Sequence, residues 1–413
     1  IYSSLIKISE DTDWKEIATG AFHSLAIKNN GTLWGAGLNG NGQLGIEGKI
    51  QYEEFVQIGN DTDWVYVEAG FVSSYAIKRD GSLWAWGYNT NAQLGLGHLQ
   101  DVAQPTRVGS DNDWERLSCG GLIVLGLKKD KSLWQWGFYF TLDSSGYVFD
   151  NILSPSCIDS NDKWLMISAG MEHAFALKED GTLWAYGDNV NFALGDTSIV
   201  VANEFTQITQ NKDWKHVEAG SVYTFALNNQ GELFAWGNNM LGQLGIVDEN
   251  DYVVIPTKVS NETEWLSISA AKGCVSDIYI FGMHSVAIKN DDKNNLICVT
   301  GANYVGQLGL GSTDQEKNTP FVCNALNVEN VLLDESTDIS LYPNPATTQL
   351  TLDNKDALIK EAHIYDITGR KVSRHSINAN QSTLDISTLK SGLYIVKIHT
   401  EQGVLNRKVQ VVR

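Results

Sequence analysis

Tryptophan returns every 50 residues along the first two thirds of the chain: Trp14, Trp64, Trp114, Trp164 and Trp214, with Trp265 following at 51. Asp precedes four of the six, at Asp13, Asp63, Asp113 and Asp213, and six residues after the first five come Gly20, Gly70, Gly120, Gly170 and Gly220. A fixed period of this length is the signature of a repeat architecture. Each unit reads as four short strands, which in the second copy are FVQI (55–58), VYVEAG (65–70), SYAIKR (74–79) and SLWAWG (82–87). The last two are joined by Asp80-Gly81, with Asn30-Gly31, Asp180-Gly181 and Gln230-Gly231 at the equivalent turns, a type I′ hairpin signal. A Gly-rich turn, GLNGNGQLG at 37–45, follows and is echoed at 87–95, 237–245 and 301–309. A lone sheet of four strands cannot cover both its faces, whereas stacking neighbours around an axis buries them and removes open edges. The fold class expected is all-β: a β-propeller of six to seven four-stranded blades, followed by a small antiparallel β-sandwich.

The unit W-x5-G, with HSLAIKNNG (23–31), LWAWG (83–87) and GQLG (42–45, 242–245, 306–309), resembles the repeat of the regulator-of-chromosome-condensation propellers over roughly residues 5–325. The resemblance implies seven blades, while the counting is uneven. The first strand occurs seven times, from Leu5–Ile8 to Phe321–Cys323, and the other three strands six times. VENVLL (328–333) offers one more second strand. The expectation is a seventh blade completed by two strands upstream of Ile1.

Charge is unevenly spread, with a net of −23 over residues 1–339 and +4 over residues 340–413. An acidic body of this size repels phosphate backbones, so no nucleic-acid partner is expected. No run of 18 apolar residues occurs, so no transmembrane segment is expected. The five cysteines, at 119, 157, 274, 298 and 323, show no metal-ligand spacing. Cys119 stands where other units have Thr19, Ala69, Ala169 and Ala219, and reads as a small buried filler. Spacing leaves a disulfide among the rest open.

Departures from the repeat are where individuality lies. The third unit lacks GQLG and runs FYFTLDSSGYVFD (138–150), clustering Phe138, Tyr139, Phe140, Tyr147 and Phe149. Such aromatics serve either as contact anchors for protein or sugar, or as caps folded back on a poorly filled blade edge. The sixth unit inserts AAKGCVSDIYIF (270–281), in which Lys272, Tyr279 and Phe281 are candidate contacts. His23, His173 and His284 share one repeat position, but Ser73, Ile123 and Tyr223 fill it elsewhere, so they read as structural. The paired carboxylates Asp11/Asp13, Asp61/Asp63 and Asp111/Asp113 supply too few oxygens for calcium and read as Asx-turns. No G-x-S-x-G, H-E-x-x-H or Walker loop is present, so neither catalysis nor a cofactor or metal is expected.

Repeat elements stop at about residue 325, and residues 326–340 read as a linker. From Leu341 to Arg413 the chain resembles the C-terminal sorting domain of the type IX secretion system, through YPNP, YDITGRKV, LDIS..L.SGLYIVKI and RKVQVV. The motif residues are Tyr342, Pro343, Asn344, Pro345, Gly369, Gly392, Tyr394, Lys397 and Lys408. The resemblance implies export to the outer-membrane surface or medium of a Gram-negative bacterium, with the type IX machinery as a partner. The functional expectation is a monomeric, non-catalytic module that binds an extracellular protein or glycan through propeller-face loops. The alternatives are a guanine-nucleotide exchange factor by family analogy, and a secreted inhibitor of a hydrolase.

Overall fold

A computed structural model describes the chain apart from residues 1–7, 10, 248–249, 273–274, 277–278, 281–282, 291–294, 311–312, 314–319, 326–338, 355–357, 367–370, 401–403 and 413. Residues Ile1–Asn324 and Ala325–Arg413 form two compact units. In the first, the described residues form six four-stranded sheets that follow one another along the chain. The first blade runs Trp14–Thr19, His23–Lys28, Leu33–Leu38 and Gln51–Ile58 in that order across the sheet. The sixth runs Trp265–Ala270, His284–Asn290, Asn295–Gly301 and Val322–Ala325. No helix is long and apolar enough to cross a membrane among the described residues.

The sheets correct the phase of the repeat by one strand. FVQI at 55–58 lies in the outermost strand of the first blade, with Gln57 opposite Trp34 and Val56 opposite Gly35. It is not the first strand of the second blade, which opens at Trp64. Each sheet therefore begins at its tryptophan and is complete in itself. The expected strand at Leu5–Ile8 lies outside the described residues except for Ile8, and VENVLL (328–333) lies wholly outside them. The hairpin turns differ too. Lys28 N donates to Thr32 O, and only Gly31 of the Asn30-Gly31 pair has positive φ, at 80°. That is a three-residue loop closed by a left-handed Gly, where a type I′ turn requires positive φ at both central residues.

Burial follows from position in the blade. Second strands are covered on both faces, and Ile123–Lys128 is buried at every residue. The fourth strand Gln51–Ile58 is exposed at half its residues and buried only at Ile58. Neighbouring blades are joined by buried tryptophans. Trp86, Trp136 and Trp236 are almost fully buried, and their indole N–H groups donate to Gln43 O, Gln93 O and Ala193 O of the preceding blade at 2.9, 2.8 and 2.8 Å. The acceptors sit in the turn after the third strand, at 37–45, 87–95 and 187–195. The third blade has no such turn, and the fourth blade accordingly puts Tyr186 at the Trp position, stacked 5.7 Å from Phe205.

The shared histidine position is structural. His23 Nε2 lies 2.8 Å from Ser74 Oγ of the next blade, and His173 Nε2 lies 3.1 Å from Thr224 Oγ1. Burial lowers both imidazoles to about 4, so the rings are neutral at neutral pH. Ser74 Oγ also donates to Gln43 O at 2.6 Å. Ser74→Ala would orphan the buried His23 Nε2, while Gln43 O keeps the Trp86 indole N–H, and an expected loss of about 1–3 kcal/mol follows. Urea unfolding of the variant beside the parent checks it.

The paired carboxylates are not loop caps. Lys28, Lys78 and Lys128, each ending a second strand, reach back between them: Lys28 Nζ is 2.8 Å from Asp11 and 3.3 Å from Asp13. The same ammonium lies 4.8 Å from the Trp14 ring centroid and 4.7 Å from that of Trp34. The second and third blades repeat both contacts. A lysine held between two carboxylates and two indoles clamps the first strand to the third.

The second unit holds a three-stranded sheet, Ile339–Tyr342, Gln349–Asn354 and Gln381–Asp385, and a four-stranded one. The latter is ordered Lys371–Ala379, Ile359–Asp366, Gly392–Thr400, Val404–Val411. The first strand starts at Ile339, two residues ahead of the boundary expected at Leu341. Their shared core includes Leu350, Leu352, Ile364, Val396 and Ile398.

Candidate functional site

The innermost strand of each blade places its fourth residue after Trp in an equivalent position: Ala18, Glu68, Ser118, Ser168, Glu218 and Ser269. Three of these bond to the next blade's backbone. Cys119 N donates to Glu68 Oε1 at 3.3 Å, Ala169 N to Ser118 Oγ at 3.0 Å, and Ala219 N to Ser168 Oγ at 2.8 Å. Inner strands packed this closely leave two carboxylates, Glu68 and Glu218, largely out of water.

Lys272 answers them. Its Nζ lies 3.8 Å from Glu68 Oε1, 4.0 Å from Glu218 Oε1 and 3.3 Å from Ser118 Oγ. One ammonium from the sixth blade thus meets groups of the second, third and fifth. Burial raises the Glu68 carboxyl and pushes that of Glu218 up to about 6, against the pull of Lys272. Burial also raises Glu16. These residues border a cavity of about 940 Å³ whose walls include Glu16, Tyr66, Glu68, Glu218, Lys272 and Val286. Beside it Ile17 is 58% exposed, while its equivalents Val67, Leu117, Ile167, Val217 and Ile268 are 7% or less. The cavity is therefore both acidic and apolar.

The aromatic segment of the third unit is a long hairpin, with strands Leu133–Asp143 and Gly146–Asp159. Phe138 stacks on Phe149 at 5.7 Å and Tyr147 on Phe149 at 6.1 Å. The hairpin leans on the fourth blade: Leu142 N donates to Asn203 Oδ1 at 2.9 Å, Asn203 Nδ2 to Leu142 O at 2.9 Å, and Tyr147 OH to Asp188 Oδ2 at 3.2 Å. Phe140 is 4% exposed, whereas Phe149 is 60% and Tyr147 43% exposed. Tyr139 is half-buried. The hairpin caps a blade edge through one part of its cluster and presents the other part outward.

Of the sixth-unit candidates, Lys272 is turned to the internal carboxylates and Tyr279 falls in a short strand, Tyr279–Ile280, paired with Val275–Ser276. Phe281 lies outside the described residues. Cys298 and Cys323, left open by spacing, form a disulfide within the sixth blade. Cys119 is buried as expected of a filler, and Cys157 is exposed.

In the second unit the YPNP segment pins the last strand. Asn344 Oδ1 accepts from Gln410 N at 2.9 Å, Ala346 N donates to Gln410 O at 2.8 Å, and Val412 N to Ala346 O at 2.9 Å. Both the Tyr342–Pro343 and Asn344–Pro345 bonds are cis. Tyr342 OH accepts from Gln381 Nε2, and Tyr394 OH donates to Lys390 O, each at 2.9 Å. Gly392 and Lys397 lie on the third strand of the four-stranded sheet and Lys408 on the fourth, while Gly369 lies outside the described residues. Sequence reasoning missed the lysine clamp, although Lys recurs 14 residues after Trp14, Trp64, Trp114 and Trp164. It also had no means of joining Lys272 to Glu68 and Glu218.

These features agree with known proteins. The family model for a secretion system C-terminal sorting domain matches residues 340–412. Two models for the regulator of chromosome condensation (RCC1) repeat match residues 80–127 and 230–275, and 14–43, 167–192 and 214–243. No curated protein matches the chain significantly. Among solved structures, yeast RCC1 (Prp20) bound to Kap60 is similar at 19% identity and TM-score 0.63, covering 79% of this chain and 77% of that one. Prp20p from Saccharomyces cerevisiae, in a structure described with its binding to Gsp1p and histones, gives 19%, 0.61, 79% and 79%. Human WBSCR16 gives 23% identity and TM-score 0.55, covering 62% of this chain and 69% of that one. At these identities the likeness speaks to fold. The chain is an RCC1-repeat β-propeller joined to a secretion-system C-terminal sorting domain.

Proposed function

We propose that this secreted propeller is a non-catalytic interaction module, displayed on the outer-membrane surface or released, which binds an extracellular protein or glycan through a propeller face. The observation that carries the reading is the union of a sorting domain with an outward-facing aromatic ladder, Phe138–Phe149–Tyr147, on a hairpin that replaces a repeat element. Stacked aromatics give large contact area at small entropic cost, and sugar rings and apolar side chains both pack on them. The Cys298–Cys323 disulfide suits an oxidising compartment outside the cytoplasm. The acidic body argues against a nucleic-acid partner.

The test begins with localisation in the native host of the full chain and of a form lacking residues 340–412. Tail-dependent appearance at the surface or in the medium is expected, and cytoplasmic retention of both forms would return the reading to an intracellular partner. The exported protein is then offered to arrays of surface glycans and secreted proteins. A ligand found there is expected to bind the Tyr147→Ser/Phe149→Ser variant about 10-fold or more weakly, since each lost anchor of this kind costs roughly 1–2 kcal/mol. Equal binding by that variant would remove the hairpin from the reading.

A further inference from the structure

The four-stranded sheet of the sorting domain carries a cluster that plays no part in pinning the last strand. Glu361 and His363 are two apart on the strand Ile359–Asp366, so the pleat sends both side chains to one face. His399, on the adjacent strand Gly392–Thr400, is the register partner of Glu361. Cross-strand pairing brings such residues within about 5 Å at Cβ. The rings of His363 and His399 are 5.0 Å apart between centroids. Ligand atoms taken one from each of Glu361, His363 and His399 all lie within 4.8 Å of one another.

A second observation points the same way. His363 is 8% exposed, and its Nε2 is buried without a directed hydrogen bond. Its near neighbour is Glu361 Oε2, 3.3 Å away. That oxygen is already engaged by Arg374, through Nε at 2.9 Å and Nη2 at 2.7 Å. Glu361 Oε1 remains for another partner. A buried imidazole nitrogen beside a carboxylate oxygen and a second imidazole can donate its proton to that oxygen or, with Nε2 deprotonated, join the other two groups in holding a cation.

We propose that Glu361, His363 and His399 form a three-ligand site for a divalent transition metal, with Zn²⁺ the best fit. Two imidazole nitrogens and one carboxylate oxygen suit Zn²⁺ and its neighbours in the series, whereas Ca²⁺ and Mg²⁺ require all-oxygen shells. Three atoms bound to one ion at about 2.0–2.2 Å stand roughly 3–3.5 Å apart, so small side-chain rotations close the cluster without moving the sheet. Three protein ligands leave a position for water or for a group on a partner surface. The ion would tie two central strands of the sorting sheet together, and Arg374 would orient the carboxylate.

The test uses the tag-free full chain with Cys157→Ser, which removes an exposed thiol, and Co²⁺ alone as the probe. One equivalent of Co²⁺ is expected to bind with a visible ligand-field band and to be displaced by Zn²⁺. His363→Gln and His399→Ala are each expected to weaken Co²⁺ binding by more than about 100-fold, beyond what outer-shell changes produce. His375→Ala is the control: it is on the neighbouring strand, bonded to Ser373 Oγ at 2.7 Å, and its removal should leave binding unchanged. Far-ultraviolet circular dichroism establishes that each variant is folded. Absence of binding below about 100 μM Co²⁺, or undiminished binding in the folded His363→Gln/His399→Ala double variant, overturns the proposal.

Discussion

Gly120→Ala is expected to destabilise the propeller by about 3 kcal/mol or more, although it adds a single methyl group. A Cβ built at Gly120 would lie 1.6 Å from Gly170 O, a backbone atom of the next blade. Gly120 N itself donates to Ile123 O at 3.0 Å, so the strand end cannot swing aside without losing a bond. The equivalent positions repeat the approach less severely, with Gly20 at 2.4 Å from Gly70 O and Gly170 at 2.3 Å from Gly220 O. Gly120 is therefore glycine because two blades touch there, not because of a left-handed turn. Gly40→Ala is the matched control, since its Cβ would meet nothing within 4 Å. Urea unfolding of the two variants decides the matter, and equal losses would show that blade contact is not what Gly120 protects.

That glycine shows how much of the fold was legible. A period of 50 in Trp and Gly exposes the blade, because every blade must solve the same packing problem at the same place. The phase of the unit was harder to read. A fourth strand such as Gln51–Ile58 follows a long turn and precedes the next Trp, so the chain alone does not say which sheet it joins; the register with Leu33–Leu38 does. Hairpin type failed for a related reason, since Asp-Gly is compatible with both a two-residue and a three-residue loop. The paired carboxylates were visible, but their lysine partner lies on another strand. Least legible was the axial cluster, in which Lys272 and Ser118 are separated by 154 residues. Only closure of successive blades around one axis brings them together.

Lys272→Met is expected to cost about 2–3 kcal/mol at pH 7.5 and much less at pH 4.5. Breaking a buried pair typically costs 3–5 kcal/mol by leaving a charge uncompensated. The figure is reduced here because Lys272, Glu68 and Glu218 side chains keep 23%, 19% and 17% of their exposure. The pH dependence follows from the carboxyls. Burial lifts Glu218 from its ordinary 4.5 to about 6 in the folded protein. A raised folded value means that the folded state holds the proton more tightly. The resulting stability is fully present below about 4.5 and is lost as pH rises through about 6, a loss of about 2 kcal/mol. Glu218→Gln stays neutral at every pH, so it should match the parent at pH 4.5 and exceed it by about 1–2 kcal/mol at pH 7.5. In Lys272→Met the same carboxyl loses its counter-charge, and its penalty grows over that window. Combining Lys272→Met with Glu218→Gln should recover most of the loss at pH 7.5, because the repelling partner of Glu68 is then gone. Comparing each variant with the parent at the same pH cancels the titration of groups that the substitution leaves untouched. A Lys272→Met loss that is the same at pH 4.5 and 7.5, and unrelieved by Glu218→Gln, would mean that Lys272 acts by packing and not by charge.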